Sequence, residues 1–396
     1  MRLLIVSQHF YPEPFRINDM AFSLAKRGHT ITVLTGLPNY PSGIIDPDYR
    51  NHKKHNEVLN GVTIHRTGII GRGKSLLRMG LNYLSFAVNG SLRAVFLNET
   101  FDAILVFQTS PVSMILPGII VKHKQHIPLF VYCLDQWPIS VTTGPISDKS
   151  LIYTFLFTLS QWHYRQANQI LLSSQSFEHY FEKVLQLNKN QYGLHYWPTY
   201  AEDVYGEVGS LDNSTFDVVF AGNVGPAQSV ETLVEAALHL SDTPSIQFHI
   251  VGDGLNLKAC QEMADKAQLK NIHFYGHHPV DKMKQFYTLA DAFLITMVDN
   301  SVVNSTLPAK LQSYMRAGKP IIGAINGEVK RVVEEAQCGW ICPALDAKAL
   351  AKLIKEASYS KNLIQNYGQN GLNYYYTHFD KEKQLDKLME RLEKAL

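Results

Sequence analysis

Apolar residues along this chain fall into short unbroken runs, each followed by a longer stretch in which they recur every three or four positions. The runs at 3–7, 30–35, 62–66, 103–107, 129–133 and 170–173 read as strands buried on both faces of a parallel sheet. The stretches between them, 18–28, 76–97, 112–123 and 151–167, have helical periodicity. The same alternation restarts in the second half, with strands at 217–221, 246–251, 272–275, 292–295 and 320–323. Helices are predicted there at 230–240, 255–267, 280–290, 307–317, 328–336 and 346–358. Strand–helix alternation of this kind predicts doubly wound α/β domains. The expected organisation is a first domain over 1–197, a Gly-, Ser- and acid-containing linker over 198–214 and a second domain over 215–378. A charged amphipathic helix over 379–396 would return to the first domain.

Composition narrows the class. With 396 residues, 37 Lys and Arg against 35 Asp and Glu leave a formal charge of +2. That is too little excess cation for a nucleic-acid protein held by phosphate neutralisation. Apolar residues make up 45% and charged ones 18%, which excludes a disordered chain. Cys133, Cys260, Cys338 and Cys342 are too few and too scattered for a disulfide framework, and no zinc spacing accompanies the last two. The apolar run opening the chain is shorter than the core of a secretory signal, which predicts a cytosolic protein. The longest uncharged stretch, 103–121, is interrupted by Gln108-Thr109-Ser110-Pro111 and reads as strand, turn and helix rather than a membrane span.

Ligands of open parallel sheets bind beyond the carboxyl ends of the strands, so the residues just after each run carry the candidate chemistry. Gly222-Asn223-Val224-Gly225 precedes a helix, where glycines allow close approach of a phosphate to free amides. Gly252-Asp253-Gly254 and Gly276-His277-His278 repeat the arrangement after the next two strands, with Gly276 and His278 offering a surface for a nucleobase. An ordinary tight turn would show the same glycines. The block from Asn304 to Pro320 is the most informative. Pro308 suits the first turn of a helix starting near Leu307, with Ser305 or Thr306 as its cap. Lys310 would then lie beside the positive end of the helix dipole and should have an anionic partner, a diphosphate or a surface carboxylate.

Gly222–Gly225, Ile250-Val251-Gly252-Asp253-Gly254 and Leu307-Pro308-Ala309-Lys310 through Ala317-Gly318-Lys319-Pro320 together resemble the C-terminal half of family 4 glycosyltransferases of the GT-B fold. Ser7-Gln8-His9-Phe10-Tyr11-Pro12-Glu13-Pro14 and the segment 25–35 are similar to that family's opening strand, loop and second strand. Leu134-Asp135-Gln136-Trp137-Pro138 resembles a signature of bacterial polysaccharide transferases, the subgroup containing L-N-acetylfucosaminyltransferases. The resemblance implies two Rossmann-like domains facing a central cleft and a retaining, metal-independent transfer from a nucleotide sugar. It implies Lys310 on the donor diphosphate and donor contacts from Gly222, Asn223, Gly225, Gly252, Gly276 and His278; hydroxyls and amides at Ser305, Thr306 and Leu307, which match no motif, would have to supply the rest, with Glu328 a further donor candidate. Asp135, just after a strand, either faces the acceptor hydroxyl and the sugar or caps the following turn. His9, Tyr11, Arg16, Asn18 and Trp137 fall on the acceptor side. Three departures stand out. No glycine occurs in 12–17, the usual Glu-x7-Glu pair falls on Ser305 and Ser313, and a common phosphate-binding Arg or Lys falls near Gln228.

Between Glu57 and Glu99 the chain carries no acidic residue but holds Arg66, Arg72, Lys74, Arg78 and Arg93 among bulky apolar side chains. That is the composition of a segment lying in an anionic membrane interface, here through Arg72, Lys74 and Arg78; a core helix of a large domain is the plainer alternative. Residues 151–157 with Trp162 make a second greasy helix. The expected function is transfer from a UDP-sugar, UDP-L-FucNAc by subgroup resemblance, to an undecaprenyl-diphosphate-linked saccharide in capsule, O-antigen or exopolysaccharide synthesis. The enzyme would sit peripherally on the inner face of the cell membrane and use no cofactor. A non-catalytic nucleotide-sugar-binding partner and a GT-B epimerase are the alternatives.

Overall fold

The computed structural model describes every residue except 52, 74, 145, 202–205, 207, 210 and 212. Two compact units result, one made of Met1–Trp197 with Leu385–Leu396 and the other of Pro198–Gln384. Each is an open twisted sheet flanked by helices.

The first sheet holds β1 (Arg2–Val6), β2 (Thr30–Gly36), β3 (Asn56–Leu59), β4 (Val62–Thr67), β5 (Ala103–Gln108), β6 (Leu129–Cys133), β7 (Gln169–Leu172) and β8 (Leu194–Tyr196). Its order is β3-β4-β2-β1-β5-β6-β7-β8, parallel except for β3, which pairs antiparallel with β4. β5 and β6 are buried at every position, which is why their sequences do not alternate. The chain leaves β1 towards β2 and later returns to the other side of β1 as β5, so the order reverses between β1 and β5.

The second sheet is wholly parallel and contains β9 (Phe216–Ala221), β10 (Ile246–Val251), β11 (Ile272–Gly276), β12 (Ala292–Thr296), β13 (Ile321–Ala324) and β14 (Gly339–Cys342). Its order is β11-β10-β9-β12-β13-β14, so its reversal lies between β9 and β12. In such sheets the reversal point opens the loops apart at the carboxyl ends and makes room for a ligand.

Three strands were absent from the sequence pattern. β3 is a half-exposed edge strand, β8 has three residues, and β14 has four that are mostly half-buried. An 18-residue helix, Lys361–His378, also went unseen; among its residues only Gly368, Gly371 and Tyr375 are buried, so it lacks a continuous apolar stripe. The second unit begins at Pro198 and continues to Gln384 rather than spanning 215–378, and part of the expected linker lies outside the described residues. The last helix, Lys381–Glu393, buries Leu385, Leu388 and Leu392 at helical spacing, and Asp386 pairs with Arg27 at 2.7 Å.

Candidate active site

In the second unit, the loops after β9, β10 and β11 are stitched together by their backbones. The Gly222 amide donates to the Val251 carbonyl at 2.9 Å, the Gly252 amide to the Gly276 carbonyl at 2.9 Å, and the Val224 amide to the Asp253 carbonyl at 2.9 Å. A Cβ at Gly252, where φ is +145°, would collide with the Gly222 carbonyl, so the two loops can close on each other only through glycine. Across the reversal point, the Thr296 hydroxyl donates to the Gln228 carbonyl at 2.7 Å and the Val298 amide to the Ala227 carbonyl at 3.0 Å.

Lys310 enters this frame from the first turn of the helix Ala309–Arg316. One turn later, Tyr314 fixes that helix against β9. Its hydroxyl donates to the Ala221 carbonyl at 3.0 Å and accepts from the Ala221 amide at 2.8 Å, while its ring stacks on Phe293 at 4.1 Å. Residues four apart share a helix face, so the anchor at Tyr314 also sets the place of Lys310. The Lys310 ammonium lies 3.9 Å from the centre of the Phe220 ring and 3.0 Å from where a Cβ at Gly222 would stand. Among the described residues Nζ has no hydrogen-bond partner, and its burial lowers the amine to about 7. Among the described residues no carboxylate of the kind the sequence allowed pairs with it; the Phe220 ring face lies there instead.

Two expectations about this block need correction. The helix starts at Ala309, with Pro308 in extended geometry at the cap position. Neither Ser305 nor Thr306 caps it, because both follow a short helix, Ser301–Asn304, and turn back to its carbonyls: Ser305 Oγ to Val302 at 2.7 Å and Thr306 Oγ1 to Val303 at 2.8 Å. The Ser313 hydroxyl likewise donates to the Ala309 carbonyl at 3.2 Å, and Leu307 is buried. Glu328 is buried at the start of the helix Gly327–Ala336 and accepts from Arg331 at 2.8 Å, so its carboxylate already has a cation. Asn223 Nδ2 donates to Gln228 Oε1 at 3.3 Å beside Gly225, and the His278 ring meets Phe286 edge-on at 4.9 Å.

In the first unit, a polar relay stands just past the carboxyl ends of β5 and β6. The Trp137 indole donates to Ser110 Oγ at 2.9 Å, and Ser110 donates to Asp135 Oδ2 at 2.8 Å. Burial raises the Asp135 carboxyl above the usual carboxylate range, and the Ser110 hydrogen bond opposes that shift. The Asp135 carbonyl accepts from Gln108 Nε2 at 3.2 Å, which holds the Asp135 backbone against β5. Ser110 was not singled out in the sequence; its signal was the break Gln108-Thr109-Ser110-Pro111 after a buried strand.

The loop after β1 is organised by Glu13, also not singled out. Its buried carboxylate accepts from the amides of Asn39 at 2.7 Å and Tyr40 at 2.6 Å and faces His9 Nδ1 at 2.8 Å. His9 is buried and stacks on Phe15 at 4.7 Å, so the structure places it in support of the loop. Asn18 Nδ2 donates to the Glu13 carbonyl at 2.7 Å, and the Tyr11 carbonyl accepts from buried Arg66 at 2.8 Å. The Tyr11 ring is exposed and Arg16 is half-buried. Loop 12–17 is therefore braced by a carboxylate where the family resemblance led us to look for glycine.

Of the expected membrane residues, Arg78 is exposed, Arg72 is half-buried with its guanidinium on the Met79 sulfur at 3.4 Å, and Lys74 lies outside the described residues. The helices Leu76–Val95 and Leu151–Arg165 do present apolar side chains outward: Leu77 is 74% exposed, Phe96 just beyond the first helix 73%, and Leu151 89%. Among the described residues no helix is long and apolar enough to cross a membrane, and no group of three His, Cys, Asp or Glu is placed to hold a metal ion.

Residues 207–374 match the family described as "Glycosyl transferases group 1". The second unit carries a glycosyl transferases group 1 domain. Among curated relatives, the probable glycosyltransferase WbjE of Pseudomonas aeruginosa is 30% identical over 35% of this chain. That match spans 34% of the Pseudomonas protein's own length. The putative colanic acid biosynthesis glycosyl transferase WcaI of Escherichia coli K12 is 22% identical, covering 80% of this chain and 82% of its own. Among solved structures, sucrose-phosphate synthase from Thermosynechococcus elongatus has a TM-score of 0.78 at 14% identity, covering 99% and 98% of the two chains. Anabaena Alr3699/HepE in complex with UDP and glucose has a TM-score of 0.71 at 15% identity, covering 99% of each. The fold is GT-B.

Proposed function

We propose that this chain is a retaining glycosyltransferase. It takes a sugar from a UDP-linked donor and adds it to a saccharide carried on undecaprenyl diphosphate at the inner face of the cell membrane, as a step in bacterial polysaccharide assembly. The observation that carries the reading is Lys310: a buried ammonium with a ring face and a glycine beside it, but no hydrogen-bond partner among the described residues. Such a group is costly to keep charged, and a diphosphate next to it would remove that cost. HepE, a structural neighbour, is described in complex with UDP and glucose, and WcaI and WbjE carry the names of glycosyltransferases of bacteria.

In this reading the bond between the sugar C1 and the β-phosphate oxygen breaks, and its electron pair leaves on the diphosphate. Lys310 and the amides of the glycine-bearing loops stabilise that charge, and no metal is required of the protein. The acceptor hydroxyl oxygen bonds to C1 with retention, and its proton passes to Asp135, whose raised pKa suits it to that role. Subgroup resemblance makes L-FucNAc the sugar to try first. Purified protein incubated with a panel of UDP-sugars and lipid-linked saccharides should transfer one of them, and Lys310→Met should lower transfer by roughly 10²–10³-fold and weaken UDP binding. Unchanged UDP affinity in Lys310→Met sinks the assignment. UDP binding with no transfer to any acceptor would leave the non-catalytic reading in its place.

A further inference from the structure

The first unit contains a groove of about 590 Å³ between the helices Leu76–Val95 and Leu151–Arg165. Its walls include Leu76, Met79, Leu84, Val141, Phe155 and Leu159. Ser110 and Trp137, the two side chains that hydrogen-bond in series to Asp135, also line it, as do Tyr83 and Arg72. One boundary of the groove is therefore the candidate catalytic carboxylate's own support. The other is the pair of outward apolar ridges, with Phe155 65% exposed. The two helices carry no carboxylate, only Arg78, Arg93 and Arg165 as full charges, and among the described residues Arg72 has no carboxylate partner.

A flat apolar face would suit a bilayer surface or a second protein. A groove in the size range of small-molecule sites, mostly apolar, with a few polar groups gathered at one side, suits a single amphiphile. Its hydrocarbon would run from the exposed ridges inward, and its anionic head would stop at Arg72 and Tyr83. We infer that this groove binds one isoprenoid diphosphate, holding the units next to the diphosphate so that the attached saccharide reaches Asp135. The inference rests on the proposal that the acceptor is lipid-linked, and it adds where the lipid sits and that it is bound singly rather than through the membrane.

Gly80 lines the groove and has nothing within 4 Å of where a Cβ would stand. Gly80→Trp therefore plugs the groove from a helical position where losing glycine favours the fold. Phe155→Glu adds a charge at an exposed groove residue, and Arg72→Gln removes the cation at the head. Farnesyl diphosphate is titrated into full-length protein and followed by calorimetry, with pyrophosphate, farnesol and anionic phospholipid vesicles as controls. One farnesyl diphosphate should bind per chain, at least tenfold more tightly than pyrophosphate or farnesol. Gly80→Trp, Phe155→Glu and Arg72→Gln should each weaken it at least tenfold with unchanged UDP affinity. Unchanged farnesyl diphosphate affinity in both Gly80→Trp and Phe155→Glu overturns the inference, and so does binding to vesicles alone. Tight farnesyl diphosphate binding without any sugar transfer would uphold the groove and break the glycosyltransferase proposal. Equal transfer to a tail-less glycan diphosphate would break the groove and uphold the enzyme.

Discussion

At the carboxyl end of β1 the buried Glu13 carboxylate meets two backbone amides and a histidine ring within 2.8 Å, whereas at the carboxyl end of β9 the buried Lys310 ammonium meets the face of Phe220 and a glycine. Both charges stand beside the strand at which their sheet reverses order, the place where open α/β sheets receive ligands. The first is satisfied by its own chain and shapes a loop; the second has no hydrogen-bond partner among the described residues, which is why we propose it as the diphosphate contact. A buried charge with full hydrogen bonding adds to the fold, and one without it carries a cost that a ligand of opposite charge would remove.

The contrast can be broken in four ways, the largest effect first. Asp135→Asn should lower transfer by roughly 10²–10⁴-fold while UDP affinity stays at the wild-type value, as loss of an acid–base group does. Equal losses in both quantities would mean that Asp135 only holds the fold. Lys310→Met should cost about 10²–10³-fold in transfer. Its ligand-free stability should move the other way. The amine titrates near 7 when folded and near 10.4 when unfolded, so the folded state holds fewer protons between those values and stability rises with pH across that window. Below pH 7 the burial cost is fully present. The variant should therefore melt several degrees higher than wild type at pH 6, with the gap closing towards pH 10. Scanning fluorimetry across pH checks both the sign and the window.

The third effect concerns the wild type alone. Because diphosphate binding requires the protonated amine, UDP affinity should fall as pH rises above about 7, by up to tenfold per unit, with proton uptake in calorimetry. A flat profile from pH 6 to 9 would show that Lys310 does not face the diphosphate. The smallest effect is Glu13→Gln, which leaves an amide group facing donors that a carboxylate had satisfied. It should destabilise the first unit by about 1–3 kcal/mol, lowering its melting temperature by several degrees. Glu13→Gln and Lys310→Met should thus shift stability in opposite directions at pH 6.

Most of the fold was legible because parallel strands buried on both faces leave continuous apolar runs, as in Leu3–Val6 and Ala103–Phe107. Edge strands such as Asn56–Leu59 bury too little to leave that trace. In the site, Lys310 was visible from Pro308 and the helix it opens, since a cation beside a helix start is locally unfavourable. What answers the cation was not visible, because Phe220 and Gly222 reach it from a strand and the loop that follows it, about ninety residues away in sequence. The cap at Ser305 or Thr306 was misread for a similar reason. The helix Ser301–Asn304 is only four residues long, and its carbonyls claim both hydroxyls. Ser110 and Asp135 are 25 residues apart and meet only because β5 and β6 are neighbours.

The closing helix has a consequence for how the molecule is made. The first unit comprises Met1–Trp197 and Leu385–Leu396, so one of its pieces is made before the second unit and the other after it. Domains commonly fold in order of synthesis, yet here the surface around Arg27 that receives Asp386 must wait, uncovered, while the whole second unit is translated. Leu385–Leu396 complete what Met1–Trp197 began.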